Sequence, residues 1–276
     1  MTPFGTRLRT AMDTRGPLCV GIDPHTSLLK DWGLDDDVAG LERFTRTAVE
    51  ALADRVAVLK PQSAFFERFG SRGIAVLEKA VEEARSAGAL VLMDAKRGDI
   101  GSTMNAYAQT FLTPDSPLFS DALTVSPYLG FGSLRPALDA AAASGAGVFV
   151  LALTSNPEGA EVQRATAADG RSLAQLMLDR MAAENADARP LGSVGAVVGA
   201  TLADAGVDLA INGPLLAPGI GAQGATPADL PRVFGDAVGN VLPSVSRGVL
   251  RYGPDIAALR SAAERFVDET RVAIGA

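Results

Sequence analysis

The stretch Val91–Thr103 reads V-L-M-D-A-K-R-G-D-I-G-S-T. The apolar run Ala89–Met93 stops at three charges, Asp94, Lys96 and Asp99, in the pattern D-x-K-x-x-D. Continuous apolarity marks a parallel strand covered on both faces. Side chains alternate along a strand, so Leu90, Leu92, Asp94 and, where the strand continues, Lys96 share one face. Gly98 permits a tight bend, and Ile100–Phe111 reads as a helix. An acid and a base therefore point the same way at a strand's carboxyl end, with a third charge on the loop beyond. Open α/β sheets and α/β barrels both place their chemistry at that end. An ordinary ion pair would also account for Asp94 and Lys96. Desolvation, however, can cancel the Coulomb gain of a buried pair, and three charges at this spacing favour a functional site.

Outward from this stretch, short apolar runs alternate with amphipathic ones. Strands are expected at Leu18–Asp23, Val56–Lys60, Ala89–Asp94, Ala122–Val125, Gly147–Leu153, Val194–Val198, Leu215–Ala217 and Val241–Val245. Helical spacing marks Asp36–Ala53, with Val38, Leu41, Phe44, Val49 and Leu52 on one stripe. Gly73–Ala87 is a second helix, closed by Gly88 in the position just past the C-cap. Further helices are expected at Gly101–Leu112, Ser133–Ala143, Ser172–Asn185, near Thr201–Ala205, at Pro227–Phe234 and at Ile256–Ile274. Ser155–Gly170 reads as a long irregular stretch. Eight alternations of strand and helix are the pattern of a (β/α)8 TIM barrel, with a doubly wound open sheet as the alternative. No linker-like shift in composition divides residues 1–276, which are expected to form a single domain.

The bulk composition narrows the function. The chain has 276 residues, 47% of them hydrophobic, enough for a large core. No apolar run approaches the roughly 20 residues needed to span a bilayer. Met1–Pro17 lacks the apolar segment of a secretory signal, so a cytoplasmic protein without membrane partners is expected. The net charge of −7 argues against nonspecific nucleic-acid binding, which needs a basic face. A single cysteine, Cys19, excludes an internal disulfide and a Cys-rich zinc site, and a single histidine, His25, excludes a multi-His metal site. Cys19 reads as a buried structural thiol and His25 as a solvated loop residue.

Charges recur at the other strand ends. The first strand ends in Asp23, the second in Lys60, and the third in Asp94 and Lys96. In a barrel these ends are neighbours on one rim, and alternating acids and bases keep one another ionised in a partly dry site. A second group lies late in the chain. Ala217-Pro-Gly-Ile-Gly-Ala-Gln-Gly224 follows the seventh strand, and Val245-Ser-Arg-Gly248 follows the eighth. Barrels often bind phosphate with these two loops. Gly219, Gly221 and Gly224 would let backbone N–H groups approach an anion, and Arg247 can grip phosphate bidentately. A mobile surface loop with an exposed arginine is the plainer alternative.

These residues match a known family. Gly21-Ile-Asp-Pro24, Leu59-Lys-Pro-Gln-Ser-Ala-Phe-Phe-Glu67, Asp94–Thr103, Thr154-Ser-Asn-Pro157, Pro218–Gly224 and Ser246-Arg-Gly248 occur in the order found in orotidine 5′-phosphate decarboxylases, and the chain resembles the longer bacterial branch of that family. The resemblance implies conversion of orotidine 5′-monophosphate (OMP) to UMP and CO2 without metal or cofactor. It implies Lys96 as the proton donor to C6, Asp94 beside the departing carboxylate, and an array of Lys60, Asp94, Lys96 and Asp99, with Asp99 entering from the partner of a homodimer. It further implies Asp23 and Lys60 at the ribose, Thr103 reaching across the dimer, Ser155 at the pyrimidine, Gln223 and Arg247 at the phosphate, and Pro218, Gly224 and Gly248 as further substrate-binding residues, under a lid around Gly219–Thr226. Glu158–Arg171 and Ala182–Ser193 match least and receive no role.

The chemistry fits the residues independently. Loss of CO2 from C6 leaves an in-plane carbanion that the ring π system cannot delocalise. A fixed ammonium could stabilise it and then protonate it. Two other readings remain open. One is a barrel decarboxylase or aldolase acting on a sugar phosphate, which would usually need Mg2+. The other is a catalytically silent nucleotide-binding barrel.

Overall fold

The computed structural model describes residues 1–275. Its strands are β1 (Cys19–Ile22), β2 (Val58–Pro61), β3 (Leu90–Arg97), β4 (Ala122–Val125), β5 (Gly147–Leu153), β6 (Val194–Val198), β7 (Leu215–Pro218) and β8 (Val241–Val245). All neighbours pair in parallel, and β1 also pairs with β8, so the sheet closes on itself in sequence order. The fold is a (β/α)8 TIM barrel, not an open doubly wound sheet.

Helices Val38–Leu52, Gly70–Ser86, Gly101–Leu112, Arg135–Ser144, Leu173–Glu184, Leu230–Phe234 and Ile256–Ile274 form the outer layer. Their boundaries follow local chemistry. The Asp37 and Ser172 side chains accept the backbone N–H groups of Gly40 and Gln175, which caps two of these helices. The helix expected near Thr201–Ala205 does not form. There the Asp204 carboxylate accepts the Gly206 N–H at 2.9 Å, a local turn that competes with helical hydrogen bonding.

Two apolar shells hold the barrel. One lies between the strands and the outer helices and includes Phe44, Leu52, Leu77, Met104 and Leu259. The other fills the barrel itself with Cys19, Val58, Leu90, Leu92, Phe149, Leu216 and Leu242. Leu90 and Leu92 thus face inward, as the alternation along β3 requires. An additional helix, Phe4–Arg15, was not anticipated from the sequence. It presents Phe4, Leu8 and Met12 to this inner shell, with Phe4 edge-on to Phe149 at 5.9 Å. Each such buried side chain contributes roughly 1.5–3 kcal/mol. Below the strands, Arg7 pairs with Asp121, whose other oxygen accepts the Val91 N–H at 2.9 Å. The amino-terminal end of the barrel is therefore sealed, and the carboxyl ends of the strands are left for a site. Among the described residues, no helix is long and apolar enough to cross a membrane.

Candidate active site

The three central charges meet where the sequence places them. Lys60 lies on β2 and Asp94 and Lys96 on β3, all near the strands' carboxyl ends. The Lys60 Nζ donates to Asp94 Oδ2 at 2.8 Å, and the Lys96 Nζ donates to Asp94 Oδ1 at 2.7 Å. Exposure separates the two lysines. The Lys60 and Asp94 side chains are 8% and 9% exposed, whereas that of Lys96 is 44% exposed. Lys96 is therefore the member of the trio most open to a ligand.

Burial opposes ionisation of the trio's inner pair, and their mutual attraction overcomes it. Burial alone raises the Asp94 carboxyl, yet the two neighbouring ammoniums hold it well below the usual carboxylate range. Burial alone lowers Lys60, yet Asp94 and then Asp23 hold it above the ordinary lysine value. The thiol of Cys19, on the same inner face, is pushed up to about 12, chiefly by burial, and stays neutral. It is the inert buried cysteine expected. His25 packs edge-on against Phe65 and is half-buried, not fully solvated.

Asp23 follows β1, and its Oδ1 is buried without a hydrogen-bond partner. The same is true of Ser246 Oγ, just beyond β8. Both side chains pack against Gly21, where a Cβ would come within 3.1 Å of Ser246 and 3.2 Å of Asp23. Asp99 lies outside the trio of its own chain. It is half-buried, and its Oδ1 accepts the Ile100 N–H at 2.8 Å. Thr103 is exposed on the following helix.

The second group spans the rim from β5 to β8. Ser155 donates to Gln223 Oε1 at 3.0 Å, joining the loop after β5 to the loop after β7. That second loop leaves Pro218 through Gly219, Gly221 and Gly224, whose φ values of 107°, 81° and 95° suit glycine. Gly221, Arg247 and Gly248 line one cavity of about 370 Å3. Gly248 has a packing reason of its own, since a Cβ there would stand 2.7 Å from Val245 Cγ2. The Arg247 guanidinium has neither hydrogen bond nor ion pair among the described residues, and the side chain is exposed. A larger cleft, about 740 Å3, lies among the outer helices at Arg46, Glu50 and Arg260 and is lined by none of the charged residues at the strands' carboxyl ends. Size alone would misplace the site.

A family model for orotidine 5′-phosphate decarboxylase / HUMPS matches residues 16–262, a span that includes the central trio and both rim loops. The chain belongs to this family. It is 76% identical to an orotidine 5′-phosphate decarboxylase of Streptomyces coelicolor, over 100% of both chains. It is 66% identical to one from Salinispora arenicola, over 99% of each. A crystal structure described as an orotidine 5′-phosphate decarboxylase from Streptomyces avermitilis superposes with a TM-score of 0.98 at 74% identity, covering 100% of this chain and 97% of that one. The chain is accordingly an enzyme of the carboxy-lyase class.

Within the family's barrel, several contacts escaped sequence reasoning. Thr124 on β4 donates to Asp94 Oδ1 at 2.8 Å, and Gln62 accepts from Lys96 Nζ at 3.4 Å. Gln163 accepts the Thr154 N–H at 2.9 Å and donates to Thr154 Oγ1 at 2.7 Å, fixing the backbone next to Ser155. Asn185 donates to the Val194 and Ile211 carbonyls at 2.7 and 2.9 Å, which anchors the start of β6. Two stretches left without a role, Glu158–Arg171 and Ala182–Ser193, each supply one of these braces. Only the K-P-Q run around Gln62 gave a local signal.

Proposed function

We propose that this enzyme converts OMP to UMP and CO2 in de novo pyrimidine synthesis, as the names of its relatives indicate, with Lys96 delivering the proton to C6. The observation that carries this reading is the Lys60–Asp94–Lys96 chain, in which the terminal ammonium is the member most open to a ligand. Asp94 stands beside the departing carboxylate. As CO2 leaves, negative charge develops at C6 next to a fixed Lys96 ammonium, which stabilises the charge without reorganisation and then gives up a proton. The orphaned Asp23 Oδ1 suits a ribose hydroxyl, with Lys60 alongside.

Ser155 holds the pyrimidine, Gln223 and Arg247 grip the phosphate, and Pro218, Gly224 and Gly248 line the nucleotide between them. The loop 219–226 closes over the nucleotide, so that binding energy far from C6 is used at the reacting atom. The acting unit is a homodimer of single-domain chains in the cytoplasm, with Asp99 and Thr103 completing the neighbour's site. The exposed Ile100, Tyr128 and Leu129 support such an interface. They lie on adjoining loops, since Gly98 packs against the Ser126 carbonyl.

The test is loss of OMP absorbance in enzyme treated with EDTA. Turnover unaffected by the chelator is expected. Turnover only after Mg2+ is restored would favour chemistry of the sugar-phosphate aldolase kind, and none under either condition would leave a silent nucleotide-binding barrel.

A further inference from the structure

We propose that Thr124 is a positioning residue for the decarboxylation, holding the Asp94 carboxylate and the Lys96 backbone in one geometry; the proposal rests on the roles given above to Asp94 and Lys96. The reason begins with strand register. Met93 on β3 pairs with Leu123 on β4, but the next pair is Arg97 with Val125. β3 thus takes four residue steps where β4 takes two. Asp94, Ala95 and Lys96 form a bulge opposite the single residue Thr124, and bulges of this kind re-aim side chains.

Within the bulge, Lys96 has φ 49°, a left-handed conformation that a long side chain rarely adopts. Its backbone N–H donates to Thr124 Oγ1 at 3.0 Å, so a side-chain oxygen takes the place of a ladder carbonyl. The hydroxyl has one proton, and it goes to Asp94 Oδ1 at 2.8 Å. Donor and acceptor are thereby used in a fixed direction, from the Lys96 backbone through Thr124 to Asp94. The same carboxylate oxygen receives the Lys96 Nζ at 2.7 Å. Both ends of Lys96, backbone and ammonium, are thus referred to one buried hydroxyl, since Thr124 is 1% exposed. A position that only filled the core could be held by valine, which has the same shape and no hydroxyl to satisfy.

Thr124→Val keeps the shape and removes both hydrogen bonds, whereas Thr124→Ser keeps the hydroxyl. Expected for Thr124→Val is a fall in kcat of roughly 10- to 100-fold, the scale of a small misplacement of a reacting group, with KM and UMP affinity changed by less than about threefold. Thr124→Ser should recover kcat to within about threefold of wild type. Should the valine variant not fold, Thr124→Ala takes its place. A kcat within twofold of wild type in the valine or alanine variant, or an equal loss in the serine variant, overturns the proposal. So does failure of both valine and alanine variants to bind UMP, which would make Thr124 a folding residue. Lys96→Ala, assayed in parallel, separates the two readings: if it stays active, the roles given to Lys96 and Asp94 fail; if it is dead while Thr124→Val is unimpaired, only the role of Thr124 fails.

Discussion

The two halves of the barrel mouth are built differently. Around β2, β3 and β4, Asp94 is 9% exposed and already accepts three hydrogen bonds, from Lys60, Lys96 and Thr124. Around β5, β7 and β8, Ser155, Gln223 and Arg247 are exposed, and the Arg247 guanidinium has no partner among the described residues. The dry, saturated Asp94 carboxylate keeps its geometry before the substrate arrives and fixes the more open Lys96 ammonium beside it, as electrostatic stabilisation of a transition state requires. Exposed groups on a glycine-rich loop can instead be gathered by the ligand, as closure of a lid requires. The proposed chemistry thus sits on rigid strands and the proposed grip on loops.

The largest effect is expected in the rigid half. Lys96→Ala removes both the proton donor, which contributes about 10²–10⁴-fold in comparable sites, and the fixed ammonium, which contributes about 10²–10³-fold. Decarboxylation should fall by at least about 10³-fold while UMP binding stays within tenfold. Retention of more than a few per cent of turnover would remove Lys96 from its role.

Stability offers a second way to break the contrast. Lys60→Ala leaves the buried Asp94 carboxylate short of a partner and should cost roughly 3 kcal/mol, the lower end for breaking a buried pair because Lys96 and Thr124 remain. The pH dependence has a definite sign. The Asp94 carboxyl is held below its usual 3.8, so its contribution is present above that pH and lost as pH falls through the folded value. Lys60 is held above its usual 10.5, so its contribution is present below that pH and lost as pH rises through the folded value. Denaturant unfolding should therefore show a constant gap between wild type and variant from about pH 5 to 9, narrowing below 3.8. A constant gap on the acid side would mean that Lys60 contributes by packing alone.

A smaller effect concerns Asp99, which sits outside the trio of its own chain. Mixing Lys96→Ala and Asp99→Ala homodimers and allowing subunit exchange makes half of the dimers mixed. Each mixed dimer then has one intact site if Asp99 acts across the interface. Activity should recover toward about a quarter of wild type if sites act independently. No recovery, with exchange verified by mass spectrometry, would reject the shared site and leave the decarboxylase reading intact.

The rigid half was also the more legible. Buried parallel strands write themselves as apolar runs, and a charge that ends such a run marks a strand's carboxyl end. Asp94, Lys96 and Lys60 could be placed on that basis. The helix Phe4–Arg15 left a weaker trace, because Phe4, Leu8 and Met12 form a stripe only one residue wide among arginines and threonines. Its purpose is to close the barrel floor, which no local pattern encodes. Thr124 looked like one polar residue in a short apolar run, and its importance arises from a register shift on the neighbouring strand. The spacing near Thr201 suggested a helix, but Asp204 captured the Gly206 N–H and made a turn.

The division of labour between the halves is tested most directly by assaying Arg247→Ala on OMP and on the nucleoside that lacks the phosphate. For OMP, kcat/KM should fall about 100-fold, equivalent to about 2.7 kcal/mol and within the worth of charge-assisted hydrogen bonds to phosphate. The slow reaction of the nucleoside should change by less than about twofold, since Arg247 would have nothing to hold. Equal losses on both substrates would contradict the division, and would mean that Arg247 supports the barrel mouth itself and not the phosphate.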